Sequence, residues 1–209
     1  MKYFTADTHF GNAGVSRCMR RLDALGALMD SPEKHDPFII NQINKTVGVN
    51  DTLYILGDLS DNNANYYLKK LTVKDIVLVA GNHDDTIGDP FMRDRWKDTR
   101  TTKVSDVNGQ HGFSMQTILS HYPHMFWDGS HRGYFHLYGH VHGMREETLD
   151  SIYPQRRSMD VGLDNAFKVL GEYRPFSEQE IWDRLSLRHG HDRVSFYREY
   201  QKELYTDSN

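Results

Sequence analysis

Short apolar runs, each closed by a polar or glycine-bearing segment, recur along the chain. Tyr3 to Ala6, Thr52 to Leu56 and Ile76 to Ala80 are rich in β-branched and aromatic residues and predict strands. Ile76 to Ala80 is apolar at every position, as expected of a strand buried on both faces. Thr117 to Leu119 and Tyr134 to Tyr138 predict two more strands. Val104 to Val107 and His111 to Met115 flank Asn108-Gly109, a pair suited to positive φ, so a tight β-hairpin is expected there. Helical periodicity fills the intervals at roughly Val15 to Met29, Asp36 to Val47 and Asn63 to Leu71, with Pro37 in the first turn of the second helix. Ser177 begins a capping box completed by Glu180, which predicts a helix to about Arg188. Beyond Gly190, Arg193 to Leu204 predicts a last helix, within about residues 191–205. Its stripe of Phe196, Tyr197, Tyr200 and Leu204 suits packing on the body or a dimer contact.

Strands alternating with helices in the first half, and more strands and hairpins in the second, predict a mixed α/β and α+β fold. No internal repeat, low-complexity segment or linker divides the chain, so residues 1–209 are read as one domain. With 38% apolar and 26% charged residues, composition points to neither disorder nor a membrane protein. Cys18 stands alone, which excludes an intrachain disulfide. The apolar run after Met1-Lys2 is too short for a secretory h-region, and a cytoplasmic protein is expected. A net charge of -4 shows no global basic face for nucleic acid, although a local patch would not alter that balance.

The chemistry lies at the carboxyl end of each strand. Asp7-Thr8-His9 comes after the first, Gly57-Asp58 after the second and Gly81-Asn82-His83-Asp84 after the third. Ser120-His121 and Gly139-His140-Val141-His142 come after the later two. Ligands bind at carboxyl ends of strands in open α/β sheets. Carboxylates, imidazoles and one amide, without a thiolate, suit ions such as Mn, Fe or Zn. Residues two apart on extended backbone project to the same side, so Asp-x-His and His-x-His can each reach one ion. One such pair is commonplace on a protein surface. Five elements in order, each after an apolar strand, are not.

These blocks resemble the signature of the calcineurin-like metallophosphoesterases: Asp-x-His, Gly-Asp, Gly-Asn-His-Asp or -Glu, His, and Gly-His-x-His. They span Asp7 to His142, about two thirds of the chain. The wording Phe4-Thr5-Ala6-Asp7-Thr8-His9-Phe10-Gly11 and Ser120-His121-Tyr122-Pro123 is similar to a small subgroup common among bacteria and their phages. The resemblance implies a four-layer αββα sandwich of two mixed sheets flanked by helices. It implies two divalent metals, most commonly manganese, with iron, zinc or nickel as alternatives. Asp7, His9 and His142 would hold one metal, Asn82, His121 and His140 the other, and Asp58 would bridge them. A metal-bridging hydroxide would attack phosphorus in line, with His83 serving the leaving oxygen. Asp61 or Asp84 would support His83.

Departures narrow the group. Gly57-Asp58-Leu59-Ser60-Asp61-Asn62-Asn63 lacks the Arg-Gly of protein phosphatases, and Asp61 stands where purple acid phosphatases carry a tyrosine ligand. Asn12 stands where the close subgroup often has histidine. Asn12, Arg17 and Arg21 are candidate substrate contacts, the arginines because their forks suit phosphate. Asp160 and Asp164 are candidates to orient a ligand histidine. His124 and His136 read as structural or exposed, and Trp127 and Tyr134 as buried aromatics or base-stacking groups. The expected activity is hydrolysis of a mono- or diester of a nucleotide or another small molecule, by a monomer or homodimer without a membrane partner. The alternatives are a metal-dependent nuclease on single-stranded nucleic acid and a binding module without turnover.

Overall fold

The computed structural model describes residues 1–84, 103–109 and 113–188. In chain order the elements are β1 (Lys2–Thr5), α1 (Ala13–Cys18), α2 (Pro32–Thr46), β2 (Thr52–Leu56), α3 (Ala64–Leu68), β3 (Asp75–Val79) and β4 (Lys103–Asn108). Then come β5 (Ser114–Leu119), β6 (Phe135–Tyr138), α4 (Glu146–Ile152), β7 (Ser158–Asp160), α5 (Leu163–Leu170), β8 (Phe176–Ser177) and α6 (Glu178–Leu185). One four-stranded sheet runs β3-β2-β1-β8 and a second runs β4-β5-β6-β7. Both are mixed. β1, β2 and β3 are parallel with β8 antiparallel, and β5, β6 and β7 are parallel with β4 antiparallel. The expected fold class is therefore present: two mixed sheets flanked by helices.

The strand period of two explains the layers. On β2 and β3, Leu53, Ile55, Ile76 and Leu78 face a core shared with Ile39, Ile40 and Ile43 of α2 and with Ala64 and Leu68 of α3. The alternate residues Tyr54, Leu56, Val77 and Val79 face a second core with Val107, Leu119, Phe135, Leu137 and Met159 of the other sheet. The first sheet is thus buried on both faces, which is why Ile76 to Val79 is uninterruptedly apolar. On β6 the opposite face carries His136 and Tyr138, where Arg156 donates to the Tyr138 hydroxyl at 2.6 Å and that hydroxyl donates to Glu146 of α4.

Three expectations need correction. Helix 15–29 stops at Cys18, because Arg20 turns to φ 53° and Gly26 to φ 81°. The Asp23 carboxylate accepts the Leu25 and Ala27 N–H groups, closing a turn where a helix was expected. The N1 proline of α2 is Pro32, and Pro37 lies inside the helix. The hairpin forms, but Asn108 pairs with Ser114 as a strand residue, so the connection is longer than an Asn-Gly turn. The capping box of α6 forms as expected, with the helix ending at Leu185. The last expected helix lies outside the described residues. Among the described residues, no helix is long and apolar enough to cross a membrane.

Candidate metal centre

Each sheet has three parallel strands, so their carboxyl ends gather on one side. The two rows are stitched together by an Ala6–Gly162 bridge, in which the Leu163 N–H donates to the Ala6 carbonyl at 3.1 Å. The Asp7 N–H donates to the Gly57 carbonyl at 3.0 Å, and the His9 N–H donates to the Asp58 carbonyl at 2.9 Å. These contacts bring the five blocks into one cluster.

The cluster is held in costly backbone. Among the described residues, five of the seven non-glycine positions with positive φ are Asp7, His9, Asp58, His140 and His142. Each such residue costs roughly 1–2 kcal/mol. Strain concentrated on carboxylates and imidazoles marks a site that the surrounding fold must enforce. Gly57 shows how closely it is built: at φ 88°, a Cβ there would lie 2.4 Å from His121 Nδ1. A Cβ on Gly81 would lie 2.2 Å from Asp58 Oδ1.

Asp7, His9 and His142 form one group whose donor atoms lie within 4.8 Å of one another, and Asp58, His121 and His140 form another. Asp58 stands between them. Its Oδ2 is 3.4 Å from His9 Nε2 and its Oδ1 is 3.4 Å from His121 Nε2. Asn82 joins the second group, with Oδ1 3.1 Å from His121 Nε2. A third overlapping group contains His9, Asp58 and His83.

These residues fit divalent cations on chemical grounds. Both ring nitrogens of His9 are buried without a hydrogen-bond partner. A buried polar atom of that kind calls for a partner. The His121 Nδ1–H donates to the Leu56 carbonyl at 2.9 Å, and the His142 Nδ1–H donates to Asp164 Oδ2 at 2.6 Å. With Nδ1 so engaged, each ring turns its Nε2 into the cluster, where it would serve as a ligand atom.

The electrostatics agree. Burial raises the Asp7 carboxyl to about 6, against the pull of His142, His121 and the His140 N–H. Burial lowers His9 to about 3, opposed by Asp58. Burial alone would raise Asp58, but the His121 hydrogen bond and charge, the His83 N–H and His9 hold it at about 2. Burial would lower His142, but Asp164 and Asp7 raise it. The buried Asp7 carboxyl beside the His9 ring, which burial holds neutral, is an environment that a cation would suit.

The remaining candidates separate. His83 Nδ1 lies 2.8 Å from Asp61 Oδ1, and its ring is 43% exposed, so it is open to an incoming molecule. Asp84 is spent elsewhere: its oxygens accept N–H groups from Asp58, Leu59, Ser60 and Gly81, which fixes the Gly-Asp loop. Asn12 caps α1 through Oδ1 and donates from Nδ2 to Asp61, so both ends of its amide are occupied. Arg17 is exposed and donates to the Asp30 carbonyl at 3.1 Å. Arg21 does not reach a substrate surface. It is wholly buried and forms a two-point ion pair with Asp164 at 2.8 and 2.7 Å, because the turn at Arg20 swings it inward. Asp164 orients His142, while Asp160 accepts the Gly143 and Gly162 N–H groups and shapes the loop.

The sequence motifs do not single out His35, Asp36 or Tyr122. His35 lies one and two turns before Ile39 and Ile43 on the buried stripe of α2, and a polar residue there is the available signal. Tyr122 donates to Asn82 Oδ1 at 3.3 Å and sets its ring edgewise to His140 at 4.7 Å.

Comparison with known proteins decides the relationship. The sequence matches the profile of the calcineurin-like phosphoesterases over residues 3–204. The chain belongs to the calcineurin-like phosphoesterase family. As a member it is a metal-dependent phosphoesterase, and the clustered histidines and aspartates are the groups that would hold its metal. It is similar to the Gene 66 protein of Mycobacterium phage L5, at 26% identity over 219 residues, covering 92% of this chain and 97% of the relative. That likeness supports a phage-type subgroup. The fold is similar to that of AQ665, a protein of unknown function from Aquifex aeolicus, with a TM-score of 0.61 and 24% identity over 88% of this chain and 98% of that one.

Proposed function

We propose that this phosphoesterase hydrolyses a mono- or diester of a nucleotide or another small molecule, at a centre of two divalent cations. One cation would be held by Asp7, His9 and His142, the other by Asn82, His121 and His140, with Asp58 shared. Oxygen and imidazole donors favour Mn²⁺, with Fe, Zn or Ni as alternatives. Bound cations would neutralise phosphoryl oxygens and make water an effective nucleophile near neutral pH.

The chain's own residues do the rest. The Asp61 carboxylate lies 2.8 Å from His83 Nδ1, where it would fix the orientation of the ring. So oriented, His83 would hand a proton from Nε2 to the leaving oxygen. Asn12 holds the other oxygen of Asp61. Exposed Asn82, His83, Tyr122 and His140 form the open side from which substrate would approach. The observation that carries the reading is Asp58, with one oxygen turned to each histidine set beside a His9 whose ring nitrogens lack hydrogen-bond partners.

The test is turnover by purified protein, with and without Mn²⁺. The substrates are bis-p-nitrophenyl phosphate, p-nitrophenyl phosphate, cyclic nucleotides and a single-stranded oligonucleotide. Metal-dependent release from a small ester is expected. Turnover of the oligonucleotide alone would replace this reading with a nuclease, and none on any substrate would remove it.

A further inference from the structure

Arg21 has no place in the ligand signature, yet it is among the largest fully buried side chains. A guanidinium has five N–H donors in a rigid plane, and here all five are used. Nε donates to Asp164 Oδ1 at 2.8 Å. Nη2 donates to Asp164 Oδ2 and to the Asp7 carbonyl, both at 2.7 Å. Nη1 donates to the Thr8 carbonyl at 3.1 Å and to His35 Nε2 at 3.0 Å.

The last contact fixes a tautomer. Arginine cannot accept, so His35 Nε2 must, and its proton sits on Nδ1. That proton goes to Asp36 Oδ1 at 2.8 Å, and Asp36 Oδ2 accepts the Gly11 N–H at 3.1 Å. The helix α2 thereby braces Arg21 from behind. In front, Arg21 grips two ligands of the first group: Asp7 through its own carbonyl, and His142 through Asp164. None of its five hydrogen bonds reaches Asn82, His121 or His140. The second group is instead fixed by the Leu56 carbonyl and Tyr122.

We infer that Arg21, braced by His35 and Asp36, is a positioning residue that sets the geometry and affinity of the Asp7–His9–His142 position alone. This rests on the two-cation reading above. Groups that orient metal ligands typically contribute about 10- to 100-fold in metal affinity. Lysine keeps the charge but has no planar fork, so it cannot satisfy Asp164, the two carbonyls and His35 together.

Titration calorimetry with Mn²⁺ tests this on wild type, Arg21→Lys and His35→Gln. His142→Ala and Asn82→Ala identify which binding phase belongs to which group. Arg21→Lys, folded by circular dichroism, is expected to weaken the phase lost in His142→Ala by about 10- to 100-fold and to leave the other within about twofold. His35→Gln should weaken the same phase by less. Equal weakening of both phases, or of neither, overturns the inference while the two-cation reading stands. A wild type that binds no Mn²⁺ overturns both. Should Arg21→Lys fail to fold, nitrogen-15 NMR of the wild type decides: the Arg21 Nε–H signal should shift as Zn²⁺ fills the first group, and an unmoved signal sinks the inference.

Discussion

In the proposed chemistry, His83 is the residue whose part is separable from the candidate ligands. Its Nδ1 faces Asp61 at 2.8 Å while its backbone N–H donates to Asp58 at 2.9 Å. His83→Ala should keep cation binding and lower kcat by about 10²–10⁴-fold, the usual share of general acid–base catalysis. Loss of cation binding in that variant would contradict the assignment. Gly57→Ala addresses the frame. With φ at 88° and a Cβ 2.4 Å from His121 Nδ1, the substitution should lower stability by roughly 1–3 kcal/mol. An unchanged urea midpoint would show that the loop yields more readily than described. The candidate ligand positions are legible in the sequence because five short motifs keep suitable residue types in order. The role of Arg21 is not, because its direction depends on one residue, Arg20, adopting positive φ.

Elements are legible where one period dominates. β2 and β3 stand out because burial on both faces leaves no polar residue to confuse the pattern. α6 stands out because Ser177 and Glu180 satisfy each other's backbone at its start. That cap makes a prediction: Ser177→Ala should cost about 1 kcal/mol, read as a lower unfolding midpoint. The segment after Cys18 misleads because apolar spacing alone does not register the Asp23 turn. β7 and β8 are three and two residues long, too short for periodicity to register. On β6, His136 tests how a strand buries a titratable group. Its Nδ1–H donates to the Ile118 carbonyl and its Nε2 accepts the His124 N–H, so it is held neutral. Burial lowers its pKa to about 3 from the usual 6.5. The unfolded chain therefore takes up this proton first as acid is added. The stability His136 contributes is complete above about pH 6.5 and is lost progressively as pH falls toward 3. Between about pH 6.5 and about pH 4, inside that window, His136→Gln should show a shallower fall in unfolding free energy than wild type. Parallel curves would refute this.

For the molecule as a whole, the two sheets act as one frame because their parallel strands point their carboxyl ends at the same place. The pairing of Ala6 with Gly162 locks them there. The strained candidate ligands and the buried Asp7 and Asp160 carboxyls weigh against the fold, a cost that bound cations would offset. Cation binding should therefore raise the unfolding temperature, by the equivalent of about 2.7 kcal/mol at 100-fold excess over Kd. A thermal melt with and without chelator reads that change, and no shift would separate cation binding from stability. The central proposal is narrower: two cations would share Asp58. Electron paramagnetic resonance of protein loaded with two equivalents of Mn²⁺ tests it most directly. Ions about 4 Å apart through one carboxylate should give the exchange-coupled spectrum of a pair, and Asp58→Asn should weaken or abolish it. A wild-type spectrum of isolated Mn²⁺ ions at full loading would contradict the account.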